Sequence, residues 1–96
     1  MDVLVTYDIA DTAGTGGRRL RAVAEICEAF GVRAQFSVFE CRVSPSAFVQ
    51  MVSELESAID TDVDSVHIYR FNGKIQGSRM SLGATKHHDL GEPWVF

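Results

Sequence analysis

The sequence is short of cysteine, of basic charge and of long apolar runs. Its two cysteines, Cys27 and Cys41, have no metal-ligand spacing and follow no secretion signal, so two buried thiols in a reducing compartment are expected. No apolar run approaches the ~18 residues that a membrane span requires. The N-terminus enters a strand directly, with no basic n-region and no leader-like apolar block, so a cytoplasmic protein without membrane association is expected. Lys and Arg number 9 against 13 Asp and Glu, giving a formal charge of −4 and a pI of about 5.2. Taken alone, that balance argues against a nucleic-acid binder, because neutralising phosphates takes Lys and Arg. The distribution softens the objection. Seven of the nine basic residues are Arg, and Arg18, Arg19 and Arg21 cluster, whereas Glu54, Glu56, Asp60, Asp62 and Asp64 crowd a different segment. A local basic patch on an acidic domain stays open. There is no internal repeat and no low-complexity segment. GTGG, residues 14–17, lacks the Gly-Lys-Ser/Thr half of a phosphate loop and is not G-x-G-x-x-G, so it reads as a flexible turn rather than a mononucleotide site.

What is present is one small domain. Ninety-six residues, 46% of them hydrophobic, suffice for a folded core but bury a limited share of surface, so a dimer interface would help. Residues 2–9 read as a central strand with both faces covered. Residues 10–17 are a loop of small residues. A helix begins near Gly17, with Leu20, Val23, Ala24, Cys27 and Phe30 on one face, and Gly31 is placed to end it as a left-handed cap. Residues 32–43, VRAQFSVFECRV, are too long for one average strand and divide near Phe36–Ser37. Ser44–Pro45 starts a second helix, with Ser as N-cap and Pro in the first position. Its apolar stripe is Phe48, Met51, Val52, Leu55 and Ile59, and the acidic stretch 60–64 closes it. SVHIYRF, 65–71, is a further strand. NGKIQG is a turn by composition, and residues 79–96 add a short strand and an extended end, PWVF. The order β-α-β-β-α-β predicts an α+β, ferredoxin-like domain over residues 1–78, with a C-terminal strand and tail over 79–96. Both helices then lie on one sheet face. In so short a chain, another protomer is the obvious cover for the other face.

Asp8 is the leading chemical candidate. An apolar strand ends in it, and a second acid, Asp11, follows three residues on. Asp8 either stops the strand or serves as a hard oxygen ligand for Mg²⁺ or Mn²⁺ at the edge of a rigid sheet. One carboxylate makes a poor site, but a two-fold dimer with Asp8 near its axis would bring two together around one cation. Arg18, Arg19 and Arg21 fall in the first helical turn, flanking the core-facing Leu20. They read either as a solvated face or, since arginine is unfavourable against the helix dipole there, as residues with a partner. His87 and His88 are adjacent on an extended chain and point to opposite sides, so they do not readily share an ion. His67 lies in a strand and reads as a packed or paired residue.

Three stretches in register carry a resemblance. VLVTYDI in the first strand, RAQFSVFECRV in the middle strands and DSVHIYRF in the last resemble the CRISPR-associated protein two family, the small nuclease of the CRISPR spacer-acquisition module. The order and spacing match through residues 2–71, and the tail, 72–96, is similar to that of longer-tailed members from type I-C systems. The resemblance implies a ferredoxin-like homodimer that cleaves phosphodiesters in RNA or duplex DNA with Mg²⁺, for which Mn²⁺ substitutes. It also implies a bridge in the spacer-integration complex, with the CRISPR integrase as partner. Asp8 falls on the family's metal-binding and catalytic aspartate, and Tyr7 on the aromatic beside it. Arg33 and Phe39 fall on the basic and aromatic positions of its R-x-Q-x-S-V-F stretch, and Arg18 and Arg19 where members carry helix-start arginines. Tyr7, Arg18, Arg19, Arg33 and Phe39 are thus the implied nucleic-acid contacts. No general base is evident beyond solvent or a second Asp8. The alternative is a non-catalytic scaffold that binds duplex DNA and the integrase.

Overall fold

A computed structural model describes residues 1–71 and 79–83. The elements are β1 (Asp2–Asp8), α1 (Gly16–Phe30), β2 (Gly31–Gln35), β3 (Val38–Arg42), α2 (Pro45–Ala58), β4 (Ser65–Phe71) and β5 (Arg79–Gly83). They form a five-stranded sheet in the order β2-β3-β1-β4-β5, antiparallel throughout. The first six elements give the expected ferredoxin-like arrangement, and β5 is the extra C-terminal strand, added beside β4. The turn expected at NGKIQG, the His87–His88–Asp89 run and PWVF lie outside the described residues.

Alternation along each strand decides which residues meet the helices. Val3, Val5 and Tyr7 of β1 line up with Phe39 of β3 and with Val66 and Ile68 of β4, and all six are buried. Val23 and Cys27 of α1 and Phe48, Met51 and Leu55 of α2 close over them. Leu4, Thr6 and Asp8 point to the opposite face. His67 and Tyr69 of β4 share that face and are buried. Among the described residues no helix is long and apolar enough to cross a membrane.

Local signals explain the boundaries. The Ser44 hydroxyl accepts from the Ala47 N–H at 3.2 Å and Pro45 opens α2, a cap that contributes about 1 kcal/mol. The reversal at Phe36–Ser37 separates β2 from β3 as the pattern predicts, with an irregular register between Arg33 and Gln35. Gly31 departs from expectation. Its φ is −166°, extended rather than left-handed, so it opens β2 instead of turning the chain. Glycine is needed there because a Cβ would run into the Glu40 carbonyl oxygen and the Cys41 Sγ. Both cysteines are free and buried, and burial pushes the Cys27 thiol up to about 12.

Candidate functional site

Asp8 closes β1 and is exposed, paired in register with Ser65 of β4. The preceding β1 residue, Tyr7, faces the helices, so Asp8 faces away from them. Rigid pairing on both sides of β1, to β3 and to β4, fixes the strand that carries it. Among the described residues no three His, Cys, Asp or Glu side chains come close enough to hold an ion together. The described residues therefore offer Asp8 as a hard-oxygen donor without a closed cage of three around it.

Asp11 has a different task. Its backbone is left-handed, with φ of 53°, a conformation that aspartate tolerates better than most residues. Its carbonyl accepts from the Gly14 and Gly16 N–H groups at 2.9 and 2.8 Å, and its Oδ2 accepts from the Thr15 N–H and hydroxyl, each at 3.3 Å. Asp11 thus shapes the loop leading to α1, which starts at Gly16, one residue before the expected position. The loop and the first turn of α1 enclose a hollow of about 590 Å³ lined by backbone and by Arg18, Arg19 and Arg21.

The three arginines do not act alike. Arg18 and Arg21 are exposed. Arg19 does not point outward as the helical pattern implied. Its Nε donates to Asp64 Oδ2 at 2.7 Å and its Nη2 to the Ala10 carbonyl at 3.2 Å. Asp64 is fully buried, and it also accepts from the Ala10 and Asp60 N–H groups, each at 2.9 Å. Burial pushes its carboxyl up, but the hydrogen bonds from Arg19, Asp60 and Ala10 outweigh that and hold it below the usual carboxylate range. The sequence pattern placed Asp64 in the acidic run that closes the second helix. The signal that marks it as different is its position flush against β4, whose first five residues are all buried.

Phe39, implied by the resemblance as a nucleic-acid contact, lies inside the protein. It is 0% exposed, because at its position on β3 the side chain enters the helix-facing layer. It stacks on Tyr7, with centroids 6.2 Å apart and planes at 24°. Tyr7 is also buried, and its hydroxyl donates to the Phe36 carbonyl at 3.3 Å. Burial raises the Tyr7 hydroxyl's pKa. Neither ring presents a face to a nucleotide base. The accessible member of the group is Arg33. Its guanidinium carbon sits 5.1 Å from the Phe39 centroid, and its side chain is 45% exposed. The Glu28 contact at 3.7 Å is a surface pair worth little. The buried aromatics thus hold the cation that faces solvent.

A family model described as CRISPR associated protein Cas2 matches residues 1–79. The CRISPR-associated endoribonuclease Cas2 of Chlorobaculum tepidum is 42% identical over 94% of each chain. The CRISPR-associated endonuclease Cas2 of Halalkalibacterium halodurans is 40% identical over 100% of both. Among solved structures, Streptococcus pyogenes Cas2 superposes with a TM-score of 0.71 at 43% identity, covering 79% of this chain and 92% of that one. The chain belongs to the Cas2 family.

Proposed function

We propose that this member of the Cas2 family is a CRISPR nuclease, a Mg²⁺-dependent phosphodiesterase acting on RNA or duplex DNA as a homodimer. The observation that carries the reading is Asp8, an exposed carboxylate at the end of a strand paired on both sides, in a chain whose relatives are named endonucleases and endoribonucleases. A single exposed carboxylate suits Mg²⁺, which keeps most of its waters and takes one or two protein carboxylates plus phosphate oxygens. A second copy supplies the second Asp8. When bound, the ion polarises the phosphoryl group and lowers the pKa of a coordinated water. The chain's own work is positional. Asp8 holds its carboxylate at a fixed place on the sheet. Arg33, seated on Phe39, and Arg18 and Arg21 at the α1 hollow engage backbone phosphates and set the register of the strand to be cut.

A second reading is favoured by the open donor set. With no three ligating groups together among the described residues, a dimer that binds a duplex and the CRISPR integrase by shape and charge, without cutting, accounts for the same arginines. Assaying purified protein on labelled duplex DNA and single-stranded RNA with Mg²⁺, Mn²⁺ or EDTA, beside Asp8→Ala, separates the two. Metal-dependent cutting that vanishes in a variant of unchanged oligomeric state supports the nuclease. Equal cutting in the variant removes Asp8 from the mechanism, and no cutting in either leaves the scaffold.

A further inference from the structure

Among the described residues Asp64 is the one fully buried carboxylate, and what it holds is the exit of β1. Ala10 lies two residues past Asp8, where the chain leaves the sheet and enters the loop to α1. The Ala10 N–H donates to Asp64 Oδ1 at 2.9 Å, and the Ala10 carbonyl accepts from Arg19 Nη2 at 3.2 Å. Arg19 Nε and Asp64 Oδ2 close the ring at 2.7 Å. Both backbone groups of one residue are therefore gripped by a single ion pair drawn from α1 and from the start of β4. The neighbourhood tightens the grip, since a Cβ on Gly16 would strike the Ala10 carbonyl oxygen, and Ile9 is buried between Asp8 and Ala10.

We propose that Asp64, acting with Arg19, is a positioning residue for Asp8, fixing where β1 ends and so where the Asp8 carboxylate stands against a bound phosphodiester. The inference rests on the nuclease reading. The β1–β3 pairing ends at Thr6, so Asp8 at the strand end has a strand partner on one side alone, Ser65 of β4, and can fray together with Ile9 and Ala10. Gripping Ala10 at both its N–H and its C=O removes that freedom. A misplacement of about 1 Å suffices to cost a reaction up to ~10²-fold. Arg19 accordingly works through the loop rather than as a phosphate ligand.

The test uses full-length Asp64→Asn and Arg19→Lys proteins. The asparagine keeps the shape but loses the charge and sets an amide donor against the Arg19 or Asp60 donors. The lysine keeps a charge on a partly exposed side chain but cannot reach Asp64 and the Ala10 carbonyl with one rigid fork. It serves if the buried change prevents folding. Amide exchange by NMR and single-turnover cleavage with Mn²⁺ are read together. The expected result is exchange at Ala10 accelerated ~10-fold or more with Val5 protection unchanged, and a cleavage rate down ~10-fold with KM within about twofold. Wild-type cleavage shared equally by both variants overturns the positioning role and spares the nuclease reading. Ala10 exchange unchanged in both variants overturns the grip itself. A loosened Ala10 in a protein whose wild type cuts nothing overturns the nuclease reading and leaves Asp64 as a structural tie alone.

Discussion

Replacing Phe39 by leucine distinguishes a core ring from a ligand-binding ring. The Phe39 side chain is 0% exposed and makes two specific contacts, the Tyr7 stack at 6.2 Å and the Arg33 guanidinium at 5.1 Å. Leucine keeps the site apolar, and a near-isosteric apolar swap in a core costs under ~1.5 kcal/mol. It removes an aromatic pair worth ~0.5–1.5 kcal/mol and an exposed cation–π contact worth ~0.5–1 kcal/mol. These contributions overlap because the same ring makes both contacts, so the expected loss is about 2 kcal/mol. For a domain of this length each kcal/mol lowers Tm by ~4–8 °C, which places the variant roughly 10 °C below wild type. Urea titration followed by circular dichroism should show a lower midpoint with the same m-value, since the surface exposed on unfolding is unchanged. Nucleic-acid affinity should fall less than ~3-fold, through loss of the seat under Arg33 rather than of a base contact; stacked bases are worth ~1–3 kcal/mol each. A variant with a wild-type midpoint and affinity reduced by more than ~10-fold would refute the assignment of Phe39 to the core.

Acid should weaken the Asp64 grip and with it the domain. The folded carboxyl lies below its ordinary value, so its stabilising contribution is fully present above the unfolded carboxyl's pKa of ~3.9 and is lost as pH falls below that through the folded pKa. Urea midpoints measured from pH 7 to pH 3 should drop more steeply for wild type than for Asp64→Asn, and parallel curves would contradict the ion pair. The thiols should be silent in the native state. Burial holds Cys27 near 12 and also raises Cys41, and a thiol so protonated is a poor nucleophile. Ellman titration at pH 8 should therefore count none in native protein and two in urea, and stoichiometric native labelling would show the cores of α1 and β3 to be open.

The fold was legible because period and punctuation agreed. β4 reads directly from SVHIYRF, α2 from Ser44–Pro45 and the stripe from Phe48 to Ile59, and the split of 32–43 from its excess length. What was not legible needed partners distant in sequence. Asp64 sits in a run of acids with nothing in the pattern to set it apart, yet Arg19, 45 residues away, draws it into a buried pair. Gly31 looks like a helix cap until β3 is laid beside it. Phe39 occupies a position implied to bind nucleic acid, but strand alternation turns it inward. One-dimensional pattern gives the facing of a residue only when its register is known, and register comes from the neighbour strand.

The same long-range pairing resolves how an acidic chain could present a phosphate site. In sequence the arginines at 18–21 and the acids at 54–64 are far apart. Folding brings Arg19 to two of those acids: its hydrogen bond to Asp64, and then the charges of Asp64, Asp60 and the nearby Asp11, raise its pKa. One of the three helix-start cations is thereby paired inside the protein, and the other two, Arg18 and Arg21, are exposed. Arg33, on the hairpin strand β2, is better placed to act as an unopposed cation, since its acidic contact is a single exposed glutamate at 3.7 Å. Attraction of a polyanion to one such chain is therefore weak and easily screened. The homodimer proposed above would carry two sets of these arginines, and a strand spanning both copies would gain from the second set at the effective concentration of a tethered site. On the function proposed above, this charge arrangement assigns nucleic-acid binding to the dimer more than to the chain, and the Asp8 carboxylates, one per copy, call for the same assembly.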